Sequence, residues 1–151
     1  MSKVLIIAEH LNGQLNSATA RCVSCAKALN AESIDVLVLS DAPQAVAEQA
    51  ARISGVGKVI TVQNAANSHA IAQVLAPQIA ETAKAYSHIF GPSTTFGKDL
   101  MPCVAALLGV AQVSDLMSVE SSHSFKRPNY AGNAIITDNA PADQTVVATV
   151  R

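Results

Sequence analysis

Ser87-His88-Ile89-Phe90-Gly91-Pro92-Ser93-Thr94-Thr95-Phe96-Gly97-Lys98-Asp99 is the stretch that decides the fold. His88 to Phe90 reads as a buried strand, Gly91 onward as a hydroxyl-rich loop, and Leu100 to Leu108 as a helix with its first turn near Asp99. Pro102 favours that late start, because proline is best tolerated in a first turn. A strand that passes through a glycine-bearing loop into a helix is the geometry of an anion or nucleotide pocket. The spacing argues against a phosphate loop. Five residues separate Gly91 from Gly97 where that motif has four, and Asp99 follows Lys98 where the motif needs a metal-binding hydroxyl. Two readings remain open. Ser93, Thr94 and Thr95 form a weaker anion site at a helix N-terminus, or they cap the helix while Gly97 permits close packing.

Working outward, strands and helices alternate. Residues 3–8 are a buried strand, and Asn12-Gly13 supplies the left-handed conformations of a turn. A helix capped by Asn16 or Ser17 runs to about Leu29, and Ile34 to Leu39 is a second buried strand. Ala45 to Ile53 is a short helix, Lys58 to Val62 a third strand, and Asn67 to Ala85 a longer helix bent by Pro77. After Gln112-Val113-Ser114-Asp115 the pattern becomes strands without helices: Leu116–Glu120, Ser124–Lys126, Ala134–Thr137 and Thr145–Val150. The expected fold is therefore α/β, a mostly parallel doubly wound sheet with helices on both faces. A C-terminal antiparallel meander is expected to extend or decorate one edge.

Composition narrows the function. The chain has 151 residues, half of them hydrophobic, 3% aromatic and 14% charged, with a net charge of −1. That length suits a single domain over residues 1–151. Ten basic residues without a run, and few aromatics, argue against nucleic-acid binding, which needs a basic surface or stacking platforms. No apolar run approaches the roughly 18 residues of a membrane helix. The apolar start is too short for an export signal and meets Glu9 at once. Three cysteines without such a signal read as reduced thiols in a cytoplasm. The strand-like ending Val146 to Arg151 reads as the cut end of a longer protein.

Other motifs are weaker. Gly55-Val56-Gly57 precedes a strand instead of following one, so it is no dinucleotide fingerprint. Cys22-Val23-Ser24-Cys25 lies inside a hydrophobic helix stripe, where small core cysteines are expected. His10, His69, His88 and His123 have no metal or catalytic spacing, and His88 reads as structural. Glu9 and Asp115 follow strands and could line a sheet's carboxyl edge; isolated acids at strand ends are usually solvated, so they do not read as a catalytic pair. Arg127-Pro128-Asn129-Tyr130-Ala131-Gly132-Asn133-Ala134 puts a guanidinium, a phenol and an amide around a turn, which suits a partner contact or self-capping equally.

Four blocks, in order, resemble a known family: Val4 to His10, Ser87 to Lys98, Val104 to Asp115, and Arg127 to Ala134. Together they are similar to the N-terminal domain of the electron transfer flavoprotein α subunit. The resemblance implies a three-layer α/β/α domain like those of adenine nucleotide α-hydrolases. It implies a β-subunit partner that holds AMP. It also implies that the bacterial cytoplasmic complex carries electrons through FAD from acyl-CoA and other dehydrogenases to a membrane quinone oxidoreductase. The family's second domain supplies most of the FAD site, so no cofactor, no metal and no catalytic residue is expected within these residues. The role implied is scaffold and subunit interface, with Arg127, Tyr130, Asn133, Thr94, Thr95 and Lys98 as the candidate contact residues. The alternative is a free-standing adenine-nucleotide-binding domain like a universal stress protein, although its Gly-x2-Gly-x9-Gly-Ser/Thr motif is missing. A hydrolase finds no support, since no G-x-S-x-G elbow is present.

Overall fold

The computed structural model describes residues 2–151. The apolar run after Ser2 forms β1 (Lys3–Ile7), buried from Val4 onward. A small hairpin follows, β2 (His10–Leu11) and β3 (Gln14–Leu15), closed by Asn12 and Gly13 at φ 51° and 75°. Asn16 Oδ1 accepts the Ala18 N–H at 2.8 Å and opens α1 (Ala18–Ala28). Then come β4 (Ser33–Ser40), α2 (Gln44–Ala51) and β5 (Lys58–Gln63).

The long helix expected from Asn67 is shorter. A 3-10 turn occupies Ala65–Ser68, and α3 runs Ala72–Ala83. Asn67 is buried and trades two hydrogen bonds with Gln78 on α3, at 2.7 and 3.0 Å. Its amide is satisfied outside the helix, so the helix does not extend back to it. β6 (His88–Pro92) then leads into α4 (Thr95–Leu108).

Here the sequence expectation is corrected by five residues. The Thr94 hydroxyl caps α4 by accepting the Gly97 N–H at 3.3 Å, so the helix begins at Thr95. Pro102 therefore lies in the helix interior. Its local cost is offset by the neighbours Leu100, Met101 and Val104, all buried against the sheet.

The second half departs further from expectation. Gln112 to Leu116 is itself a strand, β7, and the chain breaks only at Met117. β8 (Ser118–Ser121), β9 (Ser124–Asn129) and β10 (Ala134–Asn139) form a separate antiparallel sheet in the order β10-β9-β8. The last strand, β11 (Val146–Val150), does not belong to it. It inserts between β6 and β7, giving the order β5-β4-β1-β6-β11-β7 with every pairing parallel. All five of its residues are buried, as a strand covered on both faces requires.

The sheet separates two cores. Val4, Ile6, Val36 and Phe90 pack against Cys22 and Val23 of α1, Val46 of α2 and Phe125 of β9. On the other face, Leu5, Ile7, Leu37, Ile89 and Val147 meet Leu75 and Ile79 of α3, and Leu100 and Met101 of α4. The architecture is thus a three-layer α/β/α fold with an antiparallel extension. Crossovers toward β5 use α1 and α2, and crossovers toward β7 use α3 and α4. The return from β7 to β11 runs toward β5 again, so handedness sends it over the α1 face. The antiparallel sheet fills the place of a helix there, with Phe125 as its buried anchor.

Candidate functional site

The strand order reverses between β1 and β6, and ligands in open parallel sheets bind outside the carboxyl ends at such a point. Those ends carry Glu9 and His10 after β1, Ser93 and Thr94 after β6, Asp115 in β7 and Arg151 after β11. Two clefts open along this edge. One, of about 510 Å³, is lined by Ala8, His10, Asp41, Asn67, His69 and Phe96 among others, and no Lys or Arg lines it. The second, of about 480 Å³, is lined by Ser93, Lys98, Asp115, Arg127, Tyr130 and Arg151 among others.

A bridge lies between the two. The Thr94 hydroxyl donates to Glu9 Oε1 at 2.5 Å while accepting from Gly97, and Glu9 Oε2 accepts Asn16 Nδ2 at 3.3 Å. Ser93 donates to the Asp115 carboxylate, and the Asp115 N–H donates to Thr149 Oγ1 at 2.9 Å. Asp115 reaches this position through a left-handed backbone at φ 55°, where the β7–β11 register shifts. The hydroxyls of Ser93 and Thr94 are therefore committed to internal carboxylates and to the helix cap. Gly97 serves packing: a Cβ there would stand 1.6 Å from the Pro92 carbonyl oxygen.

Of the candidate contact residues, Lys98, Arg127 and Tyr130 meet around the second cleft. Arg127 is tied to Asp138 across the β9–β10 hairpin through Nε. Tyr130 is 74% exposed at the hairpin tip. Thr94 belongs to the bridge instead. Thr95 and Asn133 are exposed and line neither cleft. Tyr130, Ala131 and Gly132 are all left-handed, at φ 50°, 55° and 87°, held by hydrogen bonds from Gly132 N–H to Asn129 O and from Asn133 N–H to Tyr130 O.

Glu9 and Asp115 are not isolated acids, which corrects the sequence expectation. The available signal was positional: Glu9 follows the apolar run Val4 to Ala8, and Asp115 lies at the same carboxyl edge as Ser93 and Thr94. Burial pushes the Cys22 thiol up, with Cys25 nearby adding to it, and burial alone pushes Cys25 up to about 12. Both thiols stay protonated at neutral pH and act as core side chains. Among the described residues no group of three or more His, Cys, Asp and Glu is arranged to hold a metal. His88 is fully buried, its Nε2–H donating to Ser122 O at 2.6 Å and its Nδ1 accepting from Ser87 at 2.8 Å.

The model of the electron transfer flavoprotein domain family matches residues 4–151. The chain belongs to the electron transfer flavoprotein family. It is 49% identical over 148 residues to the electron transfer flavoprotein subunit alpha of Pseudomonas aeruginosa, covering 98% of this chain and 47% of the relative. It is 44% identical over 133 residues to that of Paracoccus denitrificans, covering 87% and 42%. The mitochondrial subunit alpha of Dictyostelium discoideum is 38% identical over 157 residues, covering 99% and 44%. The chain thus spans a little under half the length of these curated relatives. Among the described residues no helix is long and apolar enough to cross a membrane.

Proposed function

We propose that residues 1–151 are the scaffold and subunit-interface domain of an electron transfer flavoprotein α subunit. The parent protein carries electrons through FAD from acyl-CoA and other dehydrogenases to a quinone oxidoreductase of the respiratory chain, in the bacterial cytoplasm. The domain is an electron-carrier part with no catalytic residues of its own. Its direct partner is the β subunit, which holds AMP.

The observation that carries the interface reading is the β9–β10 hairpin. Among the described residues β10 pairs with β9 alone, leaving its other edge open; Ile135 on it is 53% exposed, and Tyr130 stands exposed at the tip of the same hairpin. An open strand edge with an exposed aliphatic side chain, on a hairpin whose exposed tyrosine tip lines a cleft with Arg127 and Lys98, has the composition of a protein contact. FAD itself does not fit these residues. The Glu9–Thr94 bridge divides the carboxyl edge into two short clefts, and Gly97 is spent on the Pro92 carbonyl instead of a phosphate. FAD is assigned to the remainder of the parent protein.

The test is co-expression of this chain with an electron transfer flavoprotein β subunit. The expected result is a complex whose affinity falls at least tenfold on Tyr130→Ala plus Ile135→Asp, and a colourless chain when purified alone. A chain that retains stoichiometric flavin overturns the cofactor assignment. No co-purification with the β subunit overturns the interface.

A further inference from the structure

Three cations from three separate elements converge on the second cleft: Lys98 of α4, Arg127 of β9 and Arg151 after β11. They are three of the ten basic residues in a chain whose net charge is −1. One carboxylate, Asp115, lines the same cleft, and the Ser93 hydroxyl already engages it. Arg127 spends its Nε–H on Asp138, which leaves the two terminal amino groups of the guanidinium for a second acceptor. Among the described residues neither Lys98 nor Arg151 makes an ion pair. Like charges gathered in one cleft repel, and an anion placed among them removes that cost.

Charge selects the anion. The side chains Lys98, Arg127 and Arg151 stand against Asp115 and Asp138, a surplus of one positive charge. A carboxylate carries one negative charge and cancels that surplus. A phosphate ester carries about −1.5 to −2 and would sit over-compensated beside Asp115. The surroundings select the source. Tyr130, 74% exposed, lines the cleft and belongs to the hairpin that carries the exposed Ile135 and the open edge of β10. A charged pocket that continues into exposed aromatic and aliphatic groups suits a protein surface, where such charges steer encounter and fix register.

We propose that this cleft receives an aspartate or glutamate side chain of the β subunit, held by Lys98 and the terminal amino groups of Arg127, with Tyr130 beside them. The inference rests on the interface reading above and adds the chemistry of the partner's contact. Lys98 is exposed, so its charge acts mainly on the rate of association.

The experiment measures association and dissociation rates of this chain with separately purified β subunit. Salt is set at about 0.1 M and about 1 M, between which the screening length falls from about 10 Å to about 3 Å. Lys98→Glu is expected to slow association at least tenfold at the lower salt and less than threefold at the higher, while Lys98→Arg keeps the parent rates. Lysine substitution of the β subunit's acids, one at a time, is expected to find one that restores binding to Lys98→Glu. Far-ultraviolet circular dichroism confirms that the variants are folded. Association that is equally fast with folded Lys98→Glu overturns the carboxylate contact and leaves the interface standing. So does a scan in which no acid restores binding. Failure of the parent chain to bind the β subunit overturns both. Titration with inorganic pyrophosphate, followed by amide-resolved NMR, is the last arm. Saturable shifts confined to Lys98, Arg127 and their neighbours at about 1 mM or below assign the cleft to a phosphate-bearing ligand and overturn the proposal.

Discussion

Gly97→Ala is the substitution that most directly tests how α4 is seated. The added methyl would lie 1.6 Å from the Pro92 carbonyl oxygen and 2.8 Å from its carbonyl carbon. The oxygen contact falls about 1.4 Å short of the 3.0 Å approach that real side chains tolerate. Both groups are backbone, so no rotamer change relieves the overlap. The start of α4 must move outward, which unseats Leu100, Met101 and Val104 from the core they share with Ile89 and Val147. It also stretches the Glu9–Thr94 bridge. Overpacking of this kind costs about 1–3 kcal/mol where side chains can adjust. A backbone-on-backbone overlap belongs at or beyond the top of that range, so the expected loss is about 3–5 kcal/mol, a large part of a typical domain's 5–15 kcal/mol. Two glycines serve as controls. The three atoms nearest a Cβ at Gly91 all belong to the Met101 side chain, at 2.6 to 3.3 Å, and a thioether can swing aside. Gly109 has nothing within 4 Å but sits at φ 70°, so alanine there costs about 1 kcal/mol of backbone strain. Urea denaturation of the three variants gives the ranking, with Gly97→Ala clearly worst. A loss below about 1 kcal/mol at Gly97 refutes the seating argument.

Two further expectations follow from groups away from that helix. His88 is held neutral because burial lowers its pKa, while the unfolded chain takes up the proton near 6.5. Its stabilising share is whole above about pH 6.5 and is lost as pH falls below that value, with a slope of up to about 1.4 kcal/mol per pH unit. Urea midpoints measured from pH 7.5 down to 5 are expected to fall less steeply for His88→Gln than for the parent, and equal slopes refute the assignment. Ala131 holds a left-handed backbone at φ 55° without being glycine. Ala131→Gly is expected to raise stability by about 0.5–1 kcal/mol, read by the same denaturation, and a destabilised variant contradicts the strain argument.

The sequence made the first half of the sheet legible because each of its strands is a short apolar run bounded by turn residues. Val4 to Ala8, Ile34 to Leu39 and His88 to Phe90 could be nothing else at that length, and the helices between them carry a 3.6-residue stripe. The start of α4 was misread because proline statistics describe a helix alone, whereas burial of Leu100 and Met101 decides the matter in the folded chain. The place of β11 was hidden for a related reason. Val146 to Val150 reads as a strand, but nothing local says whether its partners are the hairpins just before it or β6, more than fifty residues earlier. Its run Val146-Val147-Ala148, apolar without alternation, was the clue, since a meander strand with one wet face would alternate. Of the site, the hairpin residues Arg127 and Tyr130 and the cap at Thr94 were visible as types in a pattern. The Glu9–Thr94 and Ser93–Asp115 pairs were not, because each joins elements that only the sheet order brings side by side.

The insertion of β11 also sets a schedule for the ribosome. β7 pairs in the sheet only with β11, and β6 keeps one edge bare until β11 arrives. Without residues 146–150 the order that remains is β5-β4-β1-β6, a four-stranded sheet whose β6 edge, Ile89 and Phe90 included, is open, and β7 has no partner in it. The six-stranded order is complete only with Val146 to Val150 in place. Premature termination anywhere before that strand leaves an adhesive edge instead of a smaller domain.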